Sequence, residues 1–306
     1  MKKRVMQKTL IERQNEIENS KREAQSRQKQ AFCIKEISDA NKRYVNVMFS
    51  AMTSANDMTE DVQKASLAYQ NTLKKYGYCE DDFNLKPLCD KCGDTCTVDS
   101  KPCECVWDKY VKNLRDECQL DLKAPFSFDD CHLEKVEDAW QRKSLENVYA
   151  SMKKYIEKFP GVKYTTLVFS GGVGTGKTCL ASAMARDVVE KGYAAKIFSA
   201  YEFNSLMLTT HTSPIAERNS LLHDVLTADM LLIDDFGTEP MLKNVTVEYL
   251  LLVLEERQSR GLCTLITTNL SGENLLNRYG ERIYSRLSHK QHSLIIEMKG
   301  KDLRLS

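Results

Sequence analysis

The chain has 306 residues, of which 42% are apolar and 28% are charged, and its formal net charge is +1. This composition is typical of a globular protein of one or two domains, and the near-neutral charge excludes binding to nucleic acid or membranes through overall charge alone. No apolar run is long enough for a transmembrane helix. The basic start at residues 1–4 is followed by polar residues, which is not typical of a secretory signal.

The chain contains 11 cysteines. Without a secretory signal we expect a cytoplasmic, reducing location, where disulfides are rare and metal binding better explains clustered cysteines. Six cysteines outside the cluster described below are therefore expected to be structural, without disulfides: Cys33, Cys79, Cys118, Cys131, Cys179 and Cys263.

The first part of the chain is predicted to be helical. Residues 1–30 hold nine Lys and Arg residues and four Glu residues with few apolar ones, which favours an exposed helix or a disordered arm. Residues 31–77 are predicted to be helical, and one helix should start at Thr59, where Glu60 and Asp61 in the first turn suit the helix dipole.

A cysteine-rich segment follows at 78–131. Cys89 and Cys92 form one closely spaced pair and Cys103 and Cys105 form a second, with Cys96 between them. Thiolates at this spacing suit a tetrahedral Zn²⁺ site held by a tight turn. We predict the two pairs as the ligands; Cys96 is an alternative, because C-x2-C-x3-C spacing also permits a zinc site.

From about residue 135 the pattern changes to short apolar runs separated by helical segments. The runs are continuous rather than alternating, as expected for strands that helices cover on both faces. The predicted strands are 165–170, 194–199, 230–234, 263–269 and 293–298. The alternation predicts an α/β fold with a parallel sheet and helices on both sides.

The first predicted strand runs into a phosphate-binding motif of the form G-x-x-x-x-G-K-[ST]. Its members are Gly171, Gly172, Val173, Gly174, Thr175, Gly176, Lys177 and Thr178. The backbone N–H groups and the start of the helix that begins near Cys179 can hold the phosphates of ATP. Lys177 would contact the β- and γ-phosphates, and the Thr178 hydroxyl would bind Mg²⁺.

Two later strands end in polar residues. The run at 230–234 ends in Asp234 and is followed by Asp235. Two carboxylates at the end of a buried strand cost free energy, which indicates a functional role. Asp234 is predicted to hold the Mg²⁺ shell, and Asp235 to orient or deprotonate the attacking water. Asn269 ends the next strand and is predicted to lie near the γ-phosphate.

Arg282 and Arg286 lie four residues apart and share a helix face, from which one could reach a neighbouring subunit's nucleotide as an arginine finger.

The order of these motifs, together with Lys299-Gly300-Lys301-Asp302-Leu303-Arg304, resembles the DnaC/DnaI family of replicative helicase loaders, a group that also includes the IstB transposition helpers. The resemblance implies an AAA+ ATPase core with a five-stranded parallel sheet. It predicts an ATPase domain at 136–306, preceded by a helical, zinc-binding, partner-interaction domain at 1–135. The cysteine segment is similar to the zinc module of DnaI-type loaders.

The resemblance also implies roles for individual residues. Asp234 matches the Walker B aspartate, Asn269 the sensor 1 residue, Arg286 the arginine finger and Arg304 a terminal sensor arginine. Asp235 occupies the position of a catalytic glutamate but is one methylene shorter, which implies slow, switch-like hydrolysis. The few residues after the last strand leave no room for a helical lid domain, as in the loaders.

The function implied by the resemblance is ATP-dependent loading of a hexameric replicative helicase onto single-stranded DNA, with ATP-linked self-assembly and no membrane attachment. Two alternatives remain open: an IstB-like transposition helper acting on duplex DNA, and a P-loop kinase of small molecules. Tyr201, Phe203 and Arg218 could stack on bases and hold phosphates of DNA, although the two aromatic residues could equally belong to the core.

Overall fold

Residues 1–53, 58–83 and 86–304 are described by the computed structural model of the chain. By packing they form two compact units, one of residues Lys8–Trp107 and one of Met1–Gln7 with Asp108–Ser306. None of the described helices is long and apolar enough to cross a bilayer.

The first unit contains helices and a small cysteine-rich hairpin. The helices α1, α2 and α3 span Lys2–Phe32, Lys35–Thr53 and Thr59–Lys75, and the short strands β1 and β2 span Thr97–Val98 and Lys101–Pro102. The helical prediction is confirmed for the described residues, including the start of α3 at Thr59, whereas positions 54–57 of that prediction lie outside the described residues. A small apolar cluster of Ala31, Ile37, Tyr69 and Leu73 joins α1, α2 and α3.

The second unit is built on a five-stranded parallel sheet. Its strands are β3 Thr166–Ser170, β4 Ala195–Ser199, β5 Met230–Phe236, β6 Cys263–Thr268 and β7 Ser293–Glu297. They are arranged in the order β4-β5-β6-β3-β7, and every neighbouring pair is parallel. The α/β prediction and its five parallel strands are therefore confirmed, and each predicted strand boundary holds to within two residues.

Helices cover both faces of this sheet. The helices of this part are α4 Glu104–Glu117, α5 Leu120–Lys123, α6 Ala139–Glu157, α7 Lys177–Glu190, α8 Ala200–Thr212, α9 Ile215–Thr227, α10 Thr246–Ser259 and α11 Gly272–Leu287. Leu167 and Phe169 of β3 pack into one core with α6 and α7, whereas Val168 packs into a second core with residues of α8 to α11. Alternate residues of a strand point to opposite faces, so continuous apolar strands fill both cores.

Residues Asp108–Lys135 pack with the sheet in the second unit. Tyr110 and Leu114 of α4 and Leu120 of α5 are buried in the same core as α6 and α7. The two compact units meet in sequence between Trp107 and Asp108. The domain boundary between residues 135 and 136 stays a prediction.

Candidate nucleotide and metal sites

The phosphate-binding loop lies where the chain leaves the carboxyl end of β3 and enters α7. Close approach of residues 298–302 explains two of its glycines: a Cβ on Gly171 would lie 2.2 Å from the Met298 carbonyl oxygen, and one on Gly174 would lie 1.7 Å from a carboxylate oxygen of Asp302. Gly176 has a φ of 93° directly before α7 begins, a conformation that favours glycine.

A cavity of about 460 Å³ opens at this loop. Beside Val173, Gly174, Thr175, Gly176, Lys177, Thr178 and Cys179, it is lined by Phe126, Asp234, Asp235, Asn269, Leu303 and Arg304. The parallel sheet explains this convergence, because Asp234, Asn269 and the loop lie at the carboxyl ends of strands in the same sheet, where ligands bind in open α/β sheets. The predicted loop, acidic pair and Asn269 therefore lie together.

The Lys177 side chain is buried and its Nζ donates hydrogen bonds to the carbonyl oxygens of Gly171 at 3.0 Å and Gly172 at 2.6 Å. Burial lowers the pKa of Lys177, and the charges of Asp235 and Asp234 oppose that shift. A phosphate oxygen in the cavity would give the ammonium group a charged partner and stabilise its protonated form.

The predicted magnesium ligands are in contact. The Thr178 hydroxyl donates to Asp234 Oδ1 at 3.0 Å. Burial raises the pKa of Asp234, although the hydrogen bond from Thr267 opposes this shift. A hydroxyl next to a partly desolvated carboxylate at the edge of a phosphate-binding loop is a donor set that suits Mg²⁺ bound to a nucleotide.

Thr267 on β6 is a site residue that the sequence reasoning did not single out. Its buried hydroxyl donates to Asp234 Oδ1 at 2.5 Å and accepts from the backbone N–H of Asp235 at 2.9 Å. This single hydroxyl orients the acidic pair of β5 from the neighbouring strand. Asp235 itself has a φ of 54°, which is uncommon for a residue other than glycine and is often found at functional sites.

The predicted arginine finger does not contribute to this chain's own cavity. Arg286 on α11 donates to Glu255 Oε1 at 2.8 Å and is exposed, and the described residues that line the cavity do not include it. Arg282 and Arg286 both follow a break at Gly280, where the φ/ψ values are not helical, so they lie on one continuous helical stretch. The role of Arg286 as an arginine finger for another copy therefore stays a prediction.

The aromatic residues suggested for contact with DNA separate into two environments. Phe203 is buried and packs edge-on against Phe198, so the core interpretation is correct for this residue. Tyr201 on the same helix is exposed, whereas Arg218 donates to two backbone carbonyl oxygens.

Four cysteines of the first unit form a compact cluster. The sulfur atoms of Cys89, Cys92, Cys103 and Cys105 all lie within 4.8 Å of one another, and the distances Cys89–Cys103 and Cys92–Cys105 are both 3.8 Å. A tetrahedron of Zn–S bonds of about 2.3 Å has edges of about 3.8 Å. The spacing therefore fits Zn²⁺, and Cys96 is not a member of the cluster.

The turn that carries this cluster is fixed by Asp94. Its carboxylate accepts hydrogen bonds from the backbone N–H groups of Leu88 at 3.0 Å and Cys89 at 3.1 Å. Arg13 of α1 forms an ion pair with Asp94 at 3.4 Å. The first pair of cysteines is thus held in place by bonds that do not involve a metal ion.

The expectation that the remaining cysteines form no disulfides is wrong for one pair. Cys131 and Cys179 are joined by a disulfide in the second unit. The pair was missed because 48 positions separate the two cysteines and no sequence pattern links them. The bond attaches the segment before α6 to the first turn of α7, directly after the phosphate-binding loop.

This disulfide predicts a redox-dependent stability. We expect Cys131→Ser to lower the free energy of unfolding of the oxidised protein by about 2–4 kcal/mol, because the bond closes a long loop of the unfolded chain. Urea unfolding measures the effect. Under dithiothreitol the variant and wild type should unfold alike, and Cys33→Ser, at an exposed position, is the matched control. Equal stability of the variant and wild type without reductant would contradict the disulfide.

Together the sheet, the loop and the acidic strand end define a P-loop nucleotide-binding protein. A protein-family model described as IstB-like ATP binding protein matches residues 136–306. The chain belongs to this family of IstB-like ATP-binding proteins.

Curated relatives are similar over the same region. The replicative helicase loader DnaC of Buchnera aphidicola subsp. Acyrthosiphon pisum is 33% identical over 165 residues, which cover 53% of this chain and 62% of the relative. The DnaC of Escherichia coli strain K12 is 29% identical over 143 residues, covering 46% and 57%. The loader DnaI of Bacillus subtilis strain 168 is 29% identical over 157 residues, covering 51% and 48%. The chain spans about half to three-fifths of the length of these relatives.

Among solved structures, the chain is similar to the crystal structure of the DnaC helicase loader. That structure is 23% identical, has a TM-score of 0.44, and covers 51% of this chain and 90% of its own. The crystal structure of DnaI is 20% identical with a TM-score of 0.45, covering 60% of this chain and 92% of its own.

Proposed function

We propose that this chain is an ATP-dependent loader that places a hexameric replicative helicase on single-stranded DNA in the cytoplasm. The observation that carries the proposal is the match of its ATPase region to helicase loaders named DnaC and DnaI. The Lys8–Trp107 unit, which contains helices and the four-cysteine cluster, would bind the helicase.

Different residues of the cavity would bind the phosphates, bind Mg²⁺ and position the attacking water. Lys177 and the N–H groups of the loop would hold the phosphates, and Thr178 and Asp234 would hold Mg²⁺, which would neutralise charge on the phosphates. Thr267 keeps Asp234 oriented. Asp235 and Asn269 line the same cavity and would position the attacking water. The short Asp235 side chain favours slow hydrolysis, so that ATP acts as a switch rather than as a continuous source of work.

The resemblance of Arg286 to an arginine finger supports ATP-linked self-assembly. Because Arg286 lies outside this chain's own cavity, its guanidinium would contact the transferring phosphate in the site of a neighbouring copy. Known arginine fingers accelerate hydrolysis by roughly 10³–10⁵-fold. Hydrolysis would then depend on the association of copies, and assembly and release of the helicase would be linked to ATP.

An IstB-like transposition helper is the second candidate, which the description of the matching family favours. Such a helper would act with a transposase on duplex DNA. The four-cysteine cluster before the ATPase region favours the loader, because zinc modules of this kind accompany DnaI-type loaders. No observation on the cavity favours the small-molecule kinase.

A loading assay separates these candidates. The chain is mixed with the hexameric helicase of its host and circular single-stranded DNA, and helicase that stays on the DNA is measured by gel filtration. We expect retention with ATP for wild type and none for Lys177→Ala. Failure to bind the helicase with any nucleotide, together with ATP-dependent binding to duplex DNA, would favour the transposition helper.

A further inference from the structure

The 298–304 segment runs from the end of β7 across the phosphate-binding loop. At one end, the Met298 N–H donates to the carbonyl oxygen of Ser170 at 2.7 Å, and at the other, the Leu303 N–H donates to the carbonyl oxygen of Gly174 at 3.0 Å. The segment therefore contacts the chain just before the loop, at Ser170, and again within the loop, at Gly174. Leu303 and Arg304 at its end line the nucleotide cavity.

Gln141 of α6 holds the middle of this segment. Its Nε2 donates to the carbonyl oxygen of Lys301 at 3.0 Å, and its Oε1 accepts from the N–H of Lys301 at 3.0 Å. The side chain is only 2% exposed, so few other partners are available to the amide. Only an amide side chain offers a donor and an acceptor in this arrangement.

The surroundings fit this pairing closely. A Cβ on Gly300 would lie 2.1 Å from the amide carbon of Gln141, so glycine permits the approach of the backbone to the amide. The backbone N–H of Gln141 donates to the Asp138 carboxylate at 2.7 Å, which fixes the start of α6. Asp138 thus fixes Gln141 from the side of α6, and the hydrogen bonds of Met298 and Leu303 fix the segment on either side of Lys301, 160 positions away in sequence.

We propose that Gln141 is a positioning residue that fixes the 298–304 segment so that Arg304 meets the phosphates of the bound nucleotide. Arg304 follows the Gln141 contact by three residues, and its N–H is fixed on Asp302 Oδ1 at 2.9 Å. Arg304 therefore brings a second positive charge to the cavity that Lys177 lines. The inference rests on the proposed binding of ATP but concerns a residue of α6 that does not line the cavity.

A double-mutant cycle tests this role. ATP affinity is measured by titration calorimetry with Mg²⁺ for Gln141→Leu, Arg304→Ala and the double variant. We expect Arg304→Ala to weaken ATP binding about tenfold, since one charge-assisted contact is lost. Gln141→Leu should weaken it in the same direction, and the double variant should be no weaker than Arg304→Ala alone.

The Gln141→Glu variant and hydrogen–deuterium exchange distinguish a loss of positioning from misfolding of a variant. Glutamate keeps the shape and the acceptor but, when ionised, cannot donate to Lys301. Hydrogen–deuterium exchange in residues 299–304 should be faster in both Gln141 variants and unchanged in Lys143→Ala, an exposed position on the same helix. Normal ATP affinity of both Gln141 variants, or an additive loss in the double variant, would overturn the proposal. Absence of ATP binding by wild type would instead overturn the proposed function.

Discussion

Replacement of Lys177 by alanine should abolish most nucleotide binding. The ammonium group is buried at the loop, where its hydrogen-bond partners are two carbonyl oxygens and the Thr175 hydroxyl. A bound triphosphate would add a directly contacting charged partner to the charges of Asp234 and Asp235. Loss of hydrogen bonds to a charged group costs about 1.5–3 kcal/mol, so ATP affinity should fall by roughly 10–100-fold. Hydrolysis should fall further, by about 10²–10³-fold, as for the loss of other groups that stabilise transition-state charge.

Calorimetry with ATP and a phosphate-release assay measure both effects. The matched control is Lys243→Ala, because Lys243 is exposed and outside the lining of the cavity. Thermal unfolding without nucleotide checks that the variant is folded. ATP binding by Lys177→Ala at wild-type strength would show that the loop does not hold the triphosphate.

The cysteine cluster predicts a second large effect, on the Lys8–Trp107 unit. Its apolar core is small, and zinc held by four thiolates contributes about 10–16 kcal/mol of apparent binding free energy at neutral pH. Cys103→Ser, or removal of the metal by a chelator, should therefore unfold the hairpin around the cluster. ATP binding should persist, since every residue that lines the nucleotide cavity lies outside this unit.

Elemental analysis and proteolysis test this prediction. We expect about one zinc per chain in wild type and in Cys96→Ser, whose sulfur is outside the cluster, and loss of zinc in Cys103→Ser. Protease cleavage within residues 86–107 should increase only when zinc is lost. Metal-free wild type that resists cleavage equally would contradict a structural metal site.

The sequence was most informative where the chemistry constrains neighbouring residues. The phosphate-binding loop and the acidic end of β5 combine a run of apolar residues with a local motif, so their positions followed from the chain itself. The choice between Cys96 and the two cysteine pairs needed geometry, because both spacings permit a zinc site.

Contacts between distant residues could not be predicted. Thr267 reads as an ordinary strand residue, Gln141 as a polar residue of an amphipathic helix, and Cys131 as a free thiol. Their functions depend on partners 33, 160 and 48 positions away. Local patterns carry no information on such pairs when a single sequence is read.

The magnesium dependence of ATP affinity tests the central claim most directly, because Thr178 and Asp234 are placed to bind the metal together with the triphosphate. Titration of wild type with ATP should give tighter binding with Mg²⁺ than with EDTA, and Asp234→Asn should lose that difference. Equal affinity of wild type with and without magnesium would contradict the account.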